Sequence, residues 1–235
     1  MNWYTANVLL ILLFSAQHSI GTTPWAKGFI ARLAGNRPYA WNAVYNVGTL
    51  ACMGLTWALW QKSHIVLWDV QAPWSYALMG VEALAVVTFF YLFRFTQPFG
   101  EWIGYSQLVR AARGLPDPKG QGYKIKTFGI KRYVRFPHHT MLIVIFWALP
   151  YMTADIMLFS ITATIYTWLG SLHQDLRGKS YFGEQWVAYT RTSRMLFPAI
   201  EHVAEDIQNW SARRRQRSLD RSSTVPAMEQ ARGDT

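Results

Sequence analysis

Apolar residues fall in five long blocks, separated by stretches where Arg, Lys, Pro and Gly gather. The blocks cover 3–20, about 40–61, 73–93, about 138–149 and 156–172. An α-helix needs about 20 apolar residues to cross the hydrocarbon layer of a bilayer, roughly 30 Å thick. The pattern therefore predicts an all-α, polytopic membrane bundle of about five transmembrane helices. The fourth block is short and Pro150 closes it, so the last two blocks form a C-terminal helical hairpin with a tight turn at Thr153-Ala154-Asp155. The stretch 64–73 reads as a plain loop. The longest connection, 94–137, contains one segment, 99–112, expected to lie as an amphipathic helix at the membrane surface.

Composition agrees with this pattern. Of the 235 residues 51% are hydrophobic and only 15% are charged, against about a quarter charged in soluble domains. The organisation expected is one membrane domain, residues 1–200, and a basic tail, residues 201–235. The tail's Arg213-Arg214-Arg215-Gln216-Arg217 run, followed by Ser, Thr, Pro and Gly, predicts disorder and contact with anionic lipids. Residues 1–20 have no basic n-region and read as a retained span. Cys52 is the single cysteine, so an intrachain disulfide is excluded.

Charge placement orients the bundle. With five spans, 22 of the 23 Lys and Arg residues fall on one side, and Lys62 alone falls on the other. Positive charge marks the cytoplasmic side. The expected location is thus the inner (cell) membrane, multi-pass, with the N-terminus outside and the C-terminus cytoplasmic. The net charge of +10 is explained by these flanks and implies no nucleic acid.

The same topology collects polar chemistry at the cytoplasmic mouth. His18 ends the first span, Asn42 begins the second, Arg135, His138 and His139 begin the fourth, and His173 and Asp175 follow the fifth. His138 and His139 are about 100° apart on a helix, so at most one is expected to face inward. Glu82, near the middle of the third span, is expected to face the bundle, because a carboxylate among acyl chains is costly. Asp155 reads as a turn residue and the outer surface as nearly bare, with Trp60, Trp68 and Trp74 as an interfacial belt. Phosphate loops, nucleophile elbows and zinc-type Cys/His sets are absent from the sequence.

Arg135, Pro137, Phe182, Gly183, Tyr189 and Pro198, with the hairpin between them, resemble the motif of the integral-membrane methyltransferases related to isoprenylcysteine carboxyl methyltransferase. The run Phe146-Trp147-Ala148-Leu149-Pro150-Tyr151-Met152-Thr153 looks like the methanethiol S-methyltransferase branch. The first half, through Gln17-His18-Ser19, Ala31-Arg32-Leu33 and Leu67-Trp68-Asp69, resembles the NnrU family. Phe136 stands at the motif His, His139 at the motif Tyr and Gln174-Asp175 at the motif Glu-Glu.

The resemblance implies an S-adenosyl-L-methionine-dependent methyltransferase acting on a small thiol or lipophilic acceptor that reaches the site from the lipid bilayer. Arg135, Pro137, His138, Asp175, Gly183 and Tyr189 are then expected to bind the cofactor. His139 and His173, which exchange protons near neutral pH, are the expected catalytic groups. Glu82 and Asn42 are expected to line the substrate pocket. The NnrU likeness implies an alternative, a haem b protein with His18 as a metal ligand. The altered motif positions imply a third, a non-catalytic membrane subunit.

Overall fold

The computed structural model describes residues 2–33, 35, 40–94, 99–115, 125, 127–198, 203–205, 207–209 and 211–212. The chain is mostly helical. Asn2 caps α1 (Trp3–Gly21), its side chain accepting from the Thr5 amide at 2.9 Å. A short α2 (Pro24–Leu33) and α3 (Ala40–Leu59) follow, then β1 (Val66–Asp69) and α4 (Trp74–Tyr91). Beyond α4 come α5 (Phe99–Trp102), α6 (Tyr105–Ala112), α7 (Pro137–Trp147), β2 (Tyr151–Thr153), α8 (Ala154–Phe182) and α9 (Glu184–Thr192). Among the described residues two helical segments, Trp74–Arg94 and Ala154–Phe182, are long and apolar enough to cross a membrane.

The helices pack in a row. α4 lies against α7, α7 against α8, α8 against α1, and α1 against α3. Large apolar side chains point away from this row: Leu12, Val47 and Val87 are each more than half exposed. The side chains buried between helices are small or polar, such as Ala6, Asn7, Ala85, Ser160 and Ser171. Small residues at helix contacts and bulky apolar ones outside are the arrangement of helices solvated by lipid.

Four segments depart from the expected pattern, but α7 is as short as expected. It has 11 residues, about 16 Å of helix and roughly half a hydrocarbon layer. Pro150 is the cause, since it has no amide hydrogen to give and disfavours helix in the residue before it. The chain covers the remaining distance as extended backbone, and its polar groups find partners on the stretch expected to be a plain loop. β1 pairs antiparallel with β2, Trp68 opposite Met152 and Asp69 opposite Tyr151. The Val70 amide donates to the Pro150 carbonyl and the Ala154 amide to the Ile65 carbonyl, each at 2.9 Å. The amphipathic segment at 99–112 is two short helices, broken at Ile103-Gly104. The first basic loop contains α2, where Trp25 stacks on Phe29 and Lys27 lies 4.4 Å from the Trp41 ring centre. Residues 203–205, 207–209 and 211–212 of the tail are helical, and the Arg213–Arg217 run lies outside the described residues.

Candidate functional site

The segment before α7 and the segment after α9 run side by side. The Arg135 amide donates to the Arg194 carbonyl (2.8 Å), the Arg194 amide to the Tyr133 carbonyl (3.0 Å) and the Phe136 amide to the Met195 carbonyl (3.1 Å). The Thr140 hydroxyl donates to the Leu196 carbonyl. This clamp holds the start of α7 beside the end of α8, as expected for the two ends of one hairpin.

Arg135 and Asp175 meet there. Arg135 Nε donates to Asp175 Oδ1 and Nη2 to Oδ2, both at 2.9 Å, a two-pronged ion pair. Nη1 donates to the Ser193 carbonyl. Trp186 Nε1 donates to Asp175 Oδ1 at 3.0 Å. A carboxylate has about four acceptor positions; three on Asp175 are used. The guanidinium is buried, and Asp175 is 23% exposed.

Gly178 lets Trp186 come so close, because a Cβ at that position would fall 2.3 Å from the indole. Gly183 turns the chain from α8 into α9 at φ +54°, a conformation that L side chains avoid. Tyr189 is buried edge-on against Trp186, and its hydroxyl donates to the Lys131 carbonyl at 2.6 Å. Burial pushes its phenol up to about 12.

His139 turns toward α8. Its Nδ1 lies 2.7 Å from Ser171 Oγ, and its ring stacks on Phe136. His138 turns toward α4, its ring against Phe89 and Phe93. Both adjacent histidines therefore pack against protein, contrary to the expectation of one, because α7 is flanked by helices on two sides. Pro137, at the first helical position of α7, is buried. With Tyr133, Val134, Met141, Pro198 and Ile207 it lines an apolar cavity of about 470 Å³. The cavity opens on the α7 face opposite the one that carries His139.

Other expected site residues are not brought to this pair. His173 is exposed on α8. His18 lies between α1, α3 and α8, with its ring hydrogen-bonded to the Tyr45 hydroxyl (2.9 Å) and stacked on Phe14. Asn42 is half-buried on α3, three places along the row from α7. Glu82 is half-buried on the same stripe of α4 as Leu78, Ala85 and Phe89, the face toward α7. Among the described residues no group of three or more His, Cys, Asp or Glu side chains is placed to hold a metal ion.

The other end of the hairpin is not bare. Asp155 is 3% exposed and accepts from the Ser63 amide (3.0 Å), the Thr153 hydroxyl (2.6 Å) and Trp60 Nε1 (3.0 Å). Beside it Asn7 exchanges two hydrogen bonds with the backbone of Gln61, at 2.8 and 2.9 Å. Ser171, Trp186 and Ser193 were also missed as site residues. Ser171 and Asp175 stand one helical turn apart, and that i, i+4 stripe is the signal that joins them.

The chain is similar to proteins named methanethiol S-methyltransferase and to nurim. It is 29% identical to methanethiol S-methyltransferase of Mycobacterium tuberculosis, over 82% of the chain and 77% of the relative. It is 27% identical to methanethiol S-methyltransferase of Pseudomonas deceptionensis, over 83% and 72%, and 27% identical to nurim of Sus scrofa, over 72% and 66%. No family model and no solved structure matches the chain. The chain is a distant homologue of the methanethiol S-methyltransferases and of nurim, in agreement with the resemblance carried by the hairpin motif. The likeness of the first half to NnrU proteins has no counterpart among these relatives, and the haem reading of His18 gains no support.

Proposed function

We propose that the chain is a membrane-embedded methyltransferase that draws on S-adenosylmethionine and methylates a small thiol or lipophilic acceptor at the cytoplasmic face. The bundle crosses the inner membrane five times, with its C-terminus inside. One observation carries the reading: Arg135, Pro137, Gly183, Tyr189 and Pro198, the residues of the methyltransferase-like motif, come from three separate stretches and gather at one end of the hairpin. Relatives named for methanethiol methylation support the acceptor class.

The residues present fit the methyl donor through few groups. Asp175 has one acceptor position left for an ammonium or a ribose hydroxyl. Arg135 is engaged by Asp175 and Ser193, so a donor carboxylate reaches it only by sharing or displacing Asp175. The apolar cavity beside Pro137 suits a hydrocarbon or an aromatic ring and not a charged end. S-adenosylmethionine supplies, when bound, a methyl on a cationic sulfur that departs as a neutral thioether. His139 accepts the proton of the acceptor thiol at Nε2, the ring nitrogen turned away from Ser171, which frees a sulfur electron pair to form the new S–C bond. The hairpin end holds these groups in place, and in-line positioning is most of what methyl transfer asks of a protein.

The test is calorimetry with S-adenosylmethionine on the detergent-purified chain, paired with mass-spectrometric detection of methylated methanethiol and longer alkanethiols. Donor binding and a thioether product are expected. Neither binding nor product would leave the non-catalytic subunit as the better reading. A cytoplasmic reporter fused after Thr235 is expected to be active, and a periplasmic one would refute the orientation.

A further inference from the structure

Two histidines stand side by side at the start of α7, and their ring nitrogens are treated differently. His138 Nε2 is buried and has no hydrogen-bond partner among the described residues. His139 Nδ1 has one, Ser171 Oγ at 2.7 Å. Ser171 is fully buried on α8, and its hydroxyl donates to the Thr167 carbonyl one turn back at 2.8 Å. A serine hydroxyl carries a single proton. With that proton given to Thr167, the oxygen can only accept from the imidazole. The shared hydrogen is therefore the one on His139 Nδ1. A neutral imidazole with its proton on Nδ1 has its lone pair on Nε2.

We infer that Ser171 is a positioning residue for methyl transfer: it fixes His139 as the Nδ1–H tautomer and so presents Nε2 as the atom that receives the acceptor's proton. This rests on the methyltransferase reading of the site. The Thr167 carbonyl is what makes the device directional. A free serine hydroxyl would serve either tautomer, whereas one already bound to a carbonyl serves one. Phe136, stacked on the ring at 5.6 Å, holds the plane in which Nε2 points. The titratable neighbours are His138, turned to Phe89 and Phe93, and Asp175 one turn along α8, held by Arg135. Neither makes a hydrogen bond to Nδ1, so the tautomer rests on Ser171.

The experiment uses the full chain in detergent, labelled with ¹⁵N-histidine, as wild type, Ser171→Ala and Ser171→Thr. Ring ¹⁵N shifts report the tautomer, and turnover of a methanethiol–S-adenosylmethionine mixture reports the chemistry. The wild type should show protonated Nδ1. Ser171→Ala should mix the tautomers and lower kcat about tenfold or more, a part of the roughly 100-fold or greater contribution of acid–base catalysis, with KM for the donor unchanged. Ser171→Thr keeps the hydroxyl and should restore both. Protonated Nε2 in the wild type, or an alanine variant with unchanged tautomer and kcat, would overturn the inference. A protein that fails to turn over while showing protonated Nδ1 refutes the methyltransferase reading and Ser171's role in it, and keeps only the tautomer. The two failures are thus told apart.

Discussion

The two ends of the α7–α8 hairpin each hold a carboxylate, and they hold it differently. Asp175 faces a buried arginine and keeps one acceptor position open beside a histidine. Asp155 is more deeply buried, and it accepts from neutral groups: a backbone amide, a hydroxyl and an indole. Hydrogen bonds to the charged form stabilise an ion without a counter-charge, so Asp155 needs no cation to be tolerated. It ties the segment 60–63 to the start of α8. Asp175 is paired by charge and stands at the edge of the protein, where a ligand can compete for it. A satisfied carboxylate in the interior marks a staple, and an ion pair with a vacant acceptor at a mouth marks a site.

Breaking the staple should have the largest effect on stability. Asp155→Ala leaves two buried donors and one part-buried donor without acceptors, each buried loss being about 1–3 kcal/mol. The melting temperature in detergent should fall most for this variant, while donor affinity per folded molecule stays unchanged. Arg135→Ala comes next, at about 3 kcal/mol, because it strands a partly exposed Asp175. Unlike Asp155→Ala it should also weaken S-adenosylmethionine binding per folded molecule, measured by calorimetry at equal folded fraction. Equal donor affinity in both variants would erase the distinction between the two ends.

Smaller effects sharpen the comparison. Gly178→Ala drives a methyl into the Trp186 indole and should cost about 1–3 kcal/mol, seen as lower thermal stability with a changed Trp fluorescence. Tyr189 has its phenol raised from 10.0 to about 12 by burial. A raised pKa favours the neutral, protonated form in the fold, so its contribution is complete below pH 10 and is lost as pH climbs toward 12. Alkaline titration should therefore destabilise the wild type over that window more than Tyr189→Phe.

Much of the fold was legible because hydrophobic blocks and helix ends are local signals. Pro150 placed the hairpin, and the collection of Arg135 and Asp175 at one end followed from its two outer ends. The residues that were misread depend on pairings between distant segments. Nothing near Asp155 announces that residues 60–65 will fold back over it, because β1 and β2 are short and separated by more than 80 residues. The shortness of α7 was legible, but not the β1 strand that satisfies the extended backbone after it. His18 and Asn42 were expected at the depth of Arg135, and the order of the helices sets them apart from it. Charge counting fixes position along the membrane normal and says nothing about order within the row of helices.

His139→Gln should disturb stability least, by about 1 kcal/mol, since a glutamine amide can still donate to Ser171. It is therefore the variant that tests the central claim, that this hairpin end performs methyl transfer with His139 as the proton acceptor. The measurement is methyl transfer from S-adenosylmethionine to methanethiol by the purified variant and the wild type, with donor affinity determined in parallel. The account predicts unchanged donor affinity and turnover reduced about 100-fold, the lower range for loss of a general base. Turnover equal to wild type in the His139→Gln protein would contradict it.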